Sequence, residues 1–432
     1  MSEDLSQKTV CVYDGGGLFV SLALRLAELK VFKGVWYFRE WQDGFCDGRE
    51  LAIGCGLEDY GVQRLKFFWK DPDTGRCPMQ DFDLIIFPDC WQPDLIEYLR
   101  SIGKRVWGAG FKSDLELARW KTKQLIGDLG LPVNPSKQIH GLENLRTHLK
   151  ENDDVFVKVS ALRGLGETFA SDNYEMSRGQ LDELRSKYGA LMDVVDFIVE
   201  KKIPDAEEVG YDGYCIDGEF PDQAYFGWEI KDQAYLGKLV DYDDLPDSVK
   251  EANTALSYHM DGYRQFWSTE LREKDGNGYL IDITARHASP AGETFCQAFE
   301  NLAEILWYGA EGKLVHGKTD ALYVAQIIIC SEWAEEHCLG LFFPEEIRPF
   351  VKIYHHCRIE GVDYCMPQLA KMKQVGSVIG LGKTVEEACE MAKENAKQVK
   401  GYDLDIEVDA LEKAVKEMEK SIGSATASPD AT

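Results

Sequence analysis

The chain has 432 residues and a formal net charge of −27, which argues against a nucleic-acid backbone or an anionic membrane as a general partner. Its length exceeds one ordinary core and indicates roughly two to four domains. The 12 cysteines are scattered without CxxC pairs, and neither a signal peptide nor an apolar run long enough to cross a bilayer is visible, so we expect a cytoplasmic protein.

Residues 1–111 alternate short apolar strands with helical patterns, which predicts a parallel α/β domain. The first strand, residues 8–13, runs into three glycines, Gly15–Gly17, and then into a helix. This glycine turn has two interpretations. It is either a phosphate cradle at a helix N-terminus or a tight turn of an α/β domain, and the fuller dinucleotide fingerprint is absent.

The next segment, residues 112–130, has the pattern of one helix with Ser113 as its N-cap. Three cations, Arg119, Lys121 and Lys123, fall in the middle of this helix. On the local pattern alone, they form a solvated basic face.

Lys158 lies inside an apolar strand at the start of the segment 155–169. A lysine buried in a strand needs an anionic partner. The loop that follows contains Arg163, Gly164 and Gly166, and glycines let backbone N–H groups approach a phosphate closely. The segment lacks the GK[ST] sequence of a P-loop, and a lysine that extends to solvent beside a flexible turn explains it equally well.

Two acids, Glu270 and Asp282, stand in consecutive apolar strands joined by the turn EKDGNG. The resulting hairpin would present both carboxylates on one face, as in sites that hold Mg2+ against nucleotide phosphates. Arg286 follows the second strand, where the chain must turn. The alternative is that one carboxylate pairs with Arg286 and the other is solvated.

The region from 194–284 is rich in strands, and its short turns predict antiparallel pairing. One amphipathic helix is expected over 294–314, followed by a small final β unit. A further helix begins after Thr384, which has an acid three residues later in the capping-box pattern. A charged helix over 404–421 and a disordered tail over 422–432 complete the chain.

The order of these elements resembles the ATP-grasp superfamily, and within it most closely the phosphoribosylamine–glycine ligases. The likeness covers most of the chain. It rests on the segments DGGGLFVSLALRLAE, FDLIIFPD, VWGAGFKSDLELARWKTKQLIGDLGLPV, NLAEILWYGAEGKL and QVGSVIGLGKTVEEACEMAKENAKQV.

The resemblance implies a multidomain fold of the α/β and α+β classes. A parallel α/β domain would span 1–111, and an ATP-grasp domain with antiparallel sheets would span 112–315. The lid over the nucleotide would be a subdomain at about 155–200 within it. A small β-rich α/β domain would occupy 316–421, before the tail.

The resemblance also assigns roles residue by residue. Lys158 and Arg286 would be catalytic, the first gripping the ATP phosphates and the second stabilising the phosphoryl intermediate. Glu270, Asp282 and Thr284 would hold Mg2+, with Mn2+ as a possible substitute. The remaining positions would bind ATP: Arg119, Lys123, the lid residues Arg163, Gly164 and Gly166, the hinge residues Glu200, Lys201 and Ile203, the ribose-binding Glu208, and Lys231.

The chain departs from the family at Thr284, where asparagine is usual, and at Asp282, where glutamate is usual. The family's GDPETQ is replaced by ASPAGET, and its TGGMG stretch has no counterpart. These substrate-side changes argue against the purine-synthesis reaction itself. The resemblance then implies a carboxylate–amine ligase, monomeric or homodimeric, that uses ATP and Mg2+ and forms an amide-type bond through an acyl phosphate. The alternatives are the purine-pathway ligase, a nucleotide-binding protein with reduced or lost turnover, and an ATP-dependent kinase.

Overall fold

The computed structural model describes residues 3–39, 52–160, 168–367 and 372–425, with side chains described as far as Lys420. The strands are β1 (Thr9–Tyr13), β2 (Gly34–Phe38), β3 (Val62–Arg64), β4 (Leu84–Ile86), β5 (Arg105–Trp107), β6 (Ser136–His140), β7 (Val155–Val159), β8 (Thr168–Ser171), β9 (Asp196–Lys201), β10 (Glu207–Ile216), β11 (Gln223–Ile230), β12 (Ala234–Asp241), β13 (Arg264–Lys274), β14 (Asn277–Thr284), β15 (Tyr323–Cys330), β16 (Leu339–Phe342), β17 (Val351–Ile353), β18 (His356–Ile359), β19 (Val362–Cys365), β20 (Gln374–Gly382) and β21 (Lys400–Gly401). The helices are α1 (Val20–Glu28), α2 (Pro93–Ser101), α3 (Asp114–Leu117), α4 (Arg119–Asp128), α5 (Leu142–Leu149), α6 (Tyr174–Tyr188), α7 (Asp247–Ser257), α8 (Ala291–Ala298), α9 (Leu302–Gly309), α10 (Val385–Gln398) and α11 (Ala410–Ala425).

The N-terminal part contains a five-stranded parallel sheet in the order β3-β2-β1-β4-β5. Its central strands are short and apolar on both faces, as expected where a parallel sheet is covered on both sides. Val10, Val12 and Ile86 are fully buried in this core. The predicted parallel α/β architecture is confirmed.

A four-stranded antiparallel sheet, in the order β6-β9-β7-β8, follows the basic helices. Lys158 lies on β7 of this sheet, and Glu200 lies near the end of β9. Helices α5 and α6, which the sequence analysis did not assign, bury leucines such as Leu145 and Leu181 in the core beneath the sheet.

An eight-stranded antiparallel sheet forms the largest element, in the order β14-β13-β10-β11-β12-β15-β20-β17. The predicted hairpin of β13 and β14 is present, and Lys274 pairs with Asn277 across its turn. Asp275 and Gly276 occupy that turn with φ values of 50° and 74°. Two positive φ values are what a type I′ turn requires, and that turn matches the twist of the flanking strands.

The central sheet continues past the expected boundary between residues 315 and 316, because β12 pairs with β15. The strands β15, β17 and β20, expected in a separate final β unit, therefore extend the central sheet. A second, four-stranded sheet in the order β18-β19-β16-β21 lies in the C-terminal part. The capping box at the start of α10 is confirmed, since the Thr384 side chain accepts the Glu387 N–H and the Glu387 carboxylate accepts the Thr384 N–H.

The prediction of a single helix over 112–130 is wrong in two respects. It is divided into α3 and α4 by Ala118, whose φ of −97° and ψ of 51° are not helical. Ser113 does not cap it through its side chain, because Ser113 has helical dihedral angles inside a preceding 3-10 turn. A tertiary contact of Glu116 with the end of β14 accompanies the break.

The helix expected over 294–314 is likewise divided, into α8 and α9. Asn301 lies at the break, where its side chain donates to the His316 carbonyl and accepts the Lys318 N–H. Those two bonds bind the segment that leads to β15.

The last helix differs from the prediction at both ends. It begins at Ala410 rather than at residue 404 and continues to Ala425, so its last turn includes residues expected in the tail. Among the helices in the described ranges, none is both long and apolar enough to cross a membrane.

Candidate active site

A narrow cleft separates the small antiparallel sheet from the β13–β14 hairpin. Its lining includes Arg119, Lys123, Lys158, Glu200, Ile281 and Asp282. These residues come from α4, β7, β9 and β14, so four elements that are distant in sequence converge on one cleft.

Two of the three cations of the basic helix face this cleft. Arg119 and Lys123 lie one helical turn apart on α4 and are only 9% and 8% exposed, whereas Lys121 is exposed. The solvated basic face applies to Lys121 alone. Arg119 and Lys123 are buried cations, which persist in proteins when they have anionic partners.

Glu200 is the anionic partner of two lysines. Its carboxylate lies 2.6 Å from Lys123 Nζ and 3.5 Å from Lys158 Nζ. Lys158 Nζ also donates to the Ile281 carbonyl at 2.6 Å, which links β7 to β14 across the cleft. Burial lowers the pKa of Lys123, and the Glu200 carboxylate opposes this effect. The lysine in the apolar strand therefore has the buried anionic partner that its position required, rather than extending to solvent.

The expected adenine hinge lies at the end of β9. The Lys201 N–H donates to the Pro135 carbonyl at 2.9 Å, and the Lys201 carbonyl accepts from Asn134 Nδ2 at 3.2 Å. Both backbone groups of Lys201 are therefore bonded within the protein, and Ile203 beyond them is half-buried. The nucleotide-binding roles of Glu200, Lys201 and Ile203 stay predictions.

Glu270 and Asp282 are direct cross-strand partners, as predicted from the hairpin. A β-bulge follows the pair, between Glu270 and Leu271. Arg272 Nη2 lies 3.4 Å from Glu270, and Arg119 Nη2 lies 3.8 Å from Asp282. The alternative in which Arg286 pairs with one of these acids is wrong, because Arg286 pairs with a different carboxylate.

A second cavity opens on the other side of this pair. Its lining includes Glu208, Asp212, Glu229, Glu270, Asp282 and Thr284. Removal from water raises the pKa of Glu270 to about 7, and the Glu208 and Asp282 carboxylates add to the rise. Removal from water likewise raises the pKa of Glu229 to about 8, with Glu270 and Glu208 contributing. Carboxyl groups are thus concentrated on this wall of the site, and their raised pKa values leave them only partly ionised near neutral pH.

The two carboxylates suit a magnesium ion that is coordinated partly by the protein and partly by a phosphate. Within the described residues, no three His, Cys, Asp or Glu side chains converge to hold an ion by themselves. Mg2+ is commonly bound through one or two carboxylates together with substrate phosphates, so Glu270 and Asp282 fit this ion. Thr284 lies on the same cavity wall and would offer its hydroxyl oxygen.

Glu208 forms an ion pair across the sheet, since its carboxylate lies 2.5 Å from Arg272 Nη2. Its predicted contact with a ribose would compete with that pair. Lys231 lies exposed in the turn between β11 and β12, outside both cavities. The predicted lid residues Arg163 and Gly164, with Gly166, lie outside the described residues.

Arg286 is bound by a residue that the sequence analysis did not select. Its Nε–H donates to Glu116 Oε1 at 3.0 Å, and its Nη1–H donates to the His287 carbonyl at 3.3 Å. Burial lowers the pKa of Arg286, but the Glu116 and Asp89 carboxylates outweigh this effect and leave the pKa above its ordinary value. The available signal was an acid within the apolar pattern DLELA.

The glycine turn at Gly15–Gly17 is filled by the protein itself. Asp14 Oδ1 accepts the N–H groups of Gly16 and Gly17 at 3.1 and 2.8 Å, and Asp14 Oδ2 accepts that of Phe19 at 2.7 Å. The donors that would cradle a phosphate are thus already bonded to a carboxylate. Of the two interpretations, the structure supports the tight turn.

No protein-family model matches the chain, and no curated protein matches its sequence. Solved structures match it over nearly its whole length. A phosphoribosylamine–glycine ligase from Thermotoga maritima has a TM-score of 0.69 at 15% identity, covering 92% of this chain and 98% of that one. A biotin carboxylase from Campylobacter jejuni has a TM-score of 0.64 at 13% identity, covering 95% of each chain. The ADP complex of an N5-carboxyaminoimidazole ribonucleotide synthetase has a TM-score of 0.58 at 16% identity, covering 91% and 97%.

These proteins share the ATP-grasp architecture, and this chain has the ATP-grasp fold. The resemblance inferred from the sequence is confirmed for the fold. A phosphoribosylamine–glycine ligase is among the solved structures to which nearly the whole chain is similar.

Proposed function

We propose that the protein is an ATP-dependent ligase that joins a carboxylate to an amine. The γ-phosphoryl group of ATP would be transferred to a carboxylate oxygen, giving an acyl phosphate and ADP. The amine would then attack the acyl carbon, so that a C–N bond forms while the C–O bond to phosphate breaks. The products would be an amide, ADP, phosphate and a released proton.

The observation that carries this proposal is the convergence of Arg119, Lys123 and Lys158 on a cleft beside Glu270 and Asp282. Buried cations facing a narrow cleft provide the positive charge that triphosphate oxygens require. In the structure, carboxylates of the protein occupy these cations. The phosphates of bound ATP would take the place of these carboxylates as partners of the cations.

Glu270 and Asp282 would hold Mg2+, with Thr284 nearby. When bound, the ion would neutralise charge on the phosphate oxygens. The similar biotin carboxylase domain of 2-oxoglutarate carboxylase from Hydrogenobacter thermophilus was crystallised with MgADP and bicarbonate, which supports the use of Mg2+ with the nucleotide. Lys158 would hold the phosphates from the facing sheet, and Arg286 would stabilise the transferred phosphoryl group.

The second cavity supports an amine as one substrate. Its lining includes Asp212 and Glu229, whose pKa values are raised by burial and would be lowered again by a bound cation, so the cavity favours a cationic acceptor over an anionic one. Ser289 and Pro290, from the segment ASPAGET, complete its wall. This segment differs from that of the purine-pathway ligases, so we expect a different acid or amine from theirs.

The proposal is tested by incubating the full chain with ATP, Mg2+ and pools of amino acids, small acids and amines, while ADP and phosphate are measured separately. Stoichiometric ADP and phosphate that depend on both an acid and an amine support the ligase. If ATP binds but no pool stimulates ADP release, the nucleotide-binding alternative is correct. A phosphorylated product without free phosphate identifies a kinase. Release that requires glycine and phosphoribosylamine identifies the purine-pathway reaction.

A further inference from the structure

Glu116 is a buried carboxylate whose two oxygens both contact the turn after β14. Oε1 accepts the Arg286 Nε–H at 3.0 Å, and Oε2 accepts the Ala285 backbone N–H at 2.9 Å. The residue is only 3% exposed. Because a buried carboxylate is stable only when its oxygens are bonded, these two contacts strongly favour one orientation of the turn.

The guanidinium of Arg286 has a second acid nearby. Asp89 interacts electrostatically with Arg286, and it is itself 6% exposed. Its Oδ1 accepts the neighbouring Cys90 N–H at 2.8 Å. Two buried carboxylates therefore lie near the guanidinium, and Glu116 is the one that accepts the Nε–H.

Glu116 also links the two short helices α3 and α4 to the end of β14. It belongs to the four-residue helix α3, and the break at Ala118 separates it from Arg119 at the start of α4. Arg119 lies 3.8 Å from Asp282. Asp282 is near the end of β14, the strand that precedes Arg286. The contacts of Glu116 after β14 and of Arg119 within it hold α3 and α4 against this strand. The predicted phosphate-binding cations and the predicted catalytic arginine are therefore positioned by the same packed elements.

We propose that Glu116 is a positioning residue that holds Arg286 in the orientation used during phosphoryl transfer. This inference rests on the proposed ligase function. Glu116 acts through Arg286 and the Ala285 N–H. A misplacement of about 1 Å in such a group can lower a rate about 100-fold.

The first test is a double-mutant cycle on ADP release by the full chain. Glu116→Gln keeps the side-chain volume but removes the charge and one acceptor, which leaves Asp89 to draw the guanidinium away. We expect kcat to fall about 100-fold while the KM for ATP changes less than about threefold. Adding Glu116→Gln to Arg286→Lys should lower kcat no further. Independent losses that multiply in the double variant would overturn the proposal.

A matched control separates positioning from general stability. Glu28→Gln removes the charge from another largely buried acid, which pairs with Arg348 Nη2 at 2.8 Å and Arg25 Nη1 at 3.3 Å. Its kcat should match that of the wild type. Glu116→Asp keeps the charge and should recover part of the activity lost in Glu116→Gln. If the control and Glu116→Gln lose activity equally, the contact is merely structural and the proposal is wrong.

A second readout does not require turnover. The Arg286 Nε–H should give a downfield, slowly exchanging NMR signal in the wild type, identified by its loss in Arg286→Lys. The signal should be lost or shifted in Glu116→Gln and retained in Glu28→Gln. An unchanged signal in Glu116→Gln refutes the positioning contact even if the ligase assay succeeds. Conversely, wild-type protein that retains the signal but releases no ADP with any pool refutes the proposed function, and the positioning role in that reaction with it.

Discussion

Glu270 on β13 lies directly opposite Asp282 on β14, so that two carboxylates share one face of the hairpin. Arg272 lies 3.4 Å from Glu270, and Arg119 lies 3.8 Å from Asp282. Like charges directly opposite each other in a sheet are destabilising, and a bound cation removes that repulsion. The pair would therefore connect the stability of the hairpin to the occupancy of the predicted metal site.

We predict that Mg2+ together with ATP stabilises the protein through this pair. At 100 times the dissociation constant, the gain in unfolding free energy should be about 2.7 kcal/mol. Glu270→Gln or Asp282→Asn should remove most of the Mg2+-dependent part, as measured by thermal unfolding with and without the metal. Asp247→Asn, at a side chain that is 90% exposed, changes the net charge equally and should retain the gain. An undiminished Mg2+ effect in both site variants would contradict the metal assignment.

Lys158 and Asp282 should separate ATP binding from turnover. Lys158→Ala removes a cation that would contact phosphate, and a hydrogen bond to a charged group contributes about 1.5–3 kcal/mol, or roughly 10- to 100-fold in affinity. Asp282→Asn should bind ATP more nearly as the wild type does while losing turnover. Isothermal titration with ATP and the ADP-release assay measure the two effects. Lys121→Ala, on the exposed face of α4, is the control. Wild-type activity in either site variant would rule out these roles.

Glu200 should be essential for the stability of the nucleotide-free protein. Glu200→Gln leaves Lys123 and Lys158 buried without their shared anion, and breaking a buried ion pair in this way costs about 3–5 kcal/mol. Urea unfolding measures this loss. Glu143→Gln, whose side chain is 72% exposed, should change the unfolding free energy by less than about 1 kcal/mol. Saturating ATP should restore part of the stability, because its phosphates supply the missing negative charge. A loss as small as that of the control would show that the lysines do not depend on Glu200.

Glu293 on α8 should give the folded protein a specific pH dependence. Burial raises its pKa from the ordinary 4.5 to about 7, although Gln326, Ser377 and Tyr354 donate hydrogen bonds that oppose the rise. Between these pH values, the folded state holds a proton that the unfolded state has released. This stabilising contribution is therefore present below pH 4.5 and lost as the pH rises toward 7, by an amount on the order of 3 kcal/mol.

Denaturant unfolding of the wild type and of Glu293→Gln across this pH range measures the contribution. The difference in unfolding free energy between them should change with pH, because only the wild type titrates at this position. Ser377→Ala removes a hydrogen-bond donor that holds this pKa down but keeps the titrating group, so its profile should still fall with pH and should extend the fall to higher pH. Parallel profiles for the wild type and Glu293→Gln would contradict the prediction.

Much of the architecture could be predicted from local patterns. Alternating strands and helices indicated the parallel sheet, and the turn EKDGNG indicated the hairpin that places Glu270 opposite Asp282. The capping box at Thr384 was also readable, because its hydrogen bonds join residues only three apart. In each case, the relevant contacts are local or follow the strict side-chain alternation of a strand.

Contacts between distant segments could not be predicted. The partner of Arg286 is Glu116, 170 positions earlier, and the partner of Lys158 is Glu200, on a strand paired with β7. The glycine turn was ambiguous because only the folded backbone shows that Asp14 occupies its N–H groups. A charged side chain in an apolar pattern indicates that a partner is required but does not identify it.

By itself, the sequence indicated the parallel α/β sheet and the hairpin with its paired carboxylates, because periodicity and turn residues reflect local energetic requirements, and its resemblance to a known family indicated the ATP-grasp architecture. Only the tertiary structure decided which charges meet: Glu200 between two lysines, Glu116 on Arg286, and Arg119 beside Asp282. The physical reason is that electrostatic and hydrogen-bond energies depend on distances in space, and several segments far apart in the chain must pack together before those distances exist.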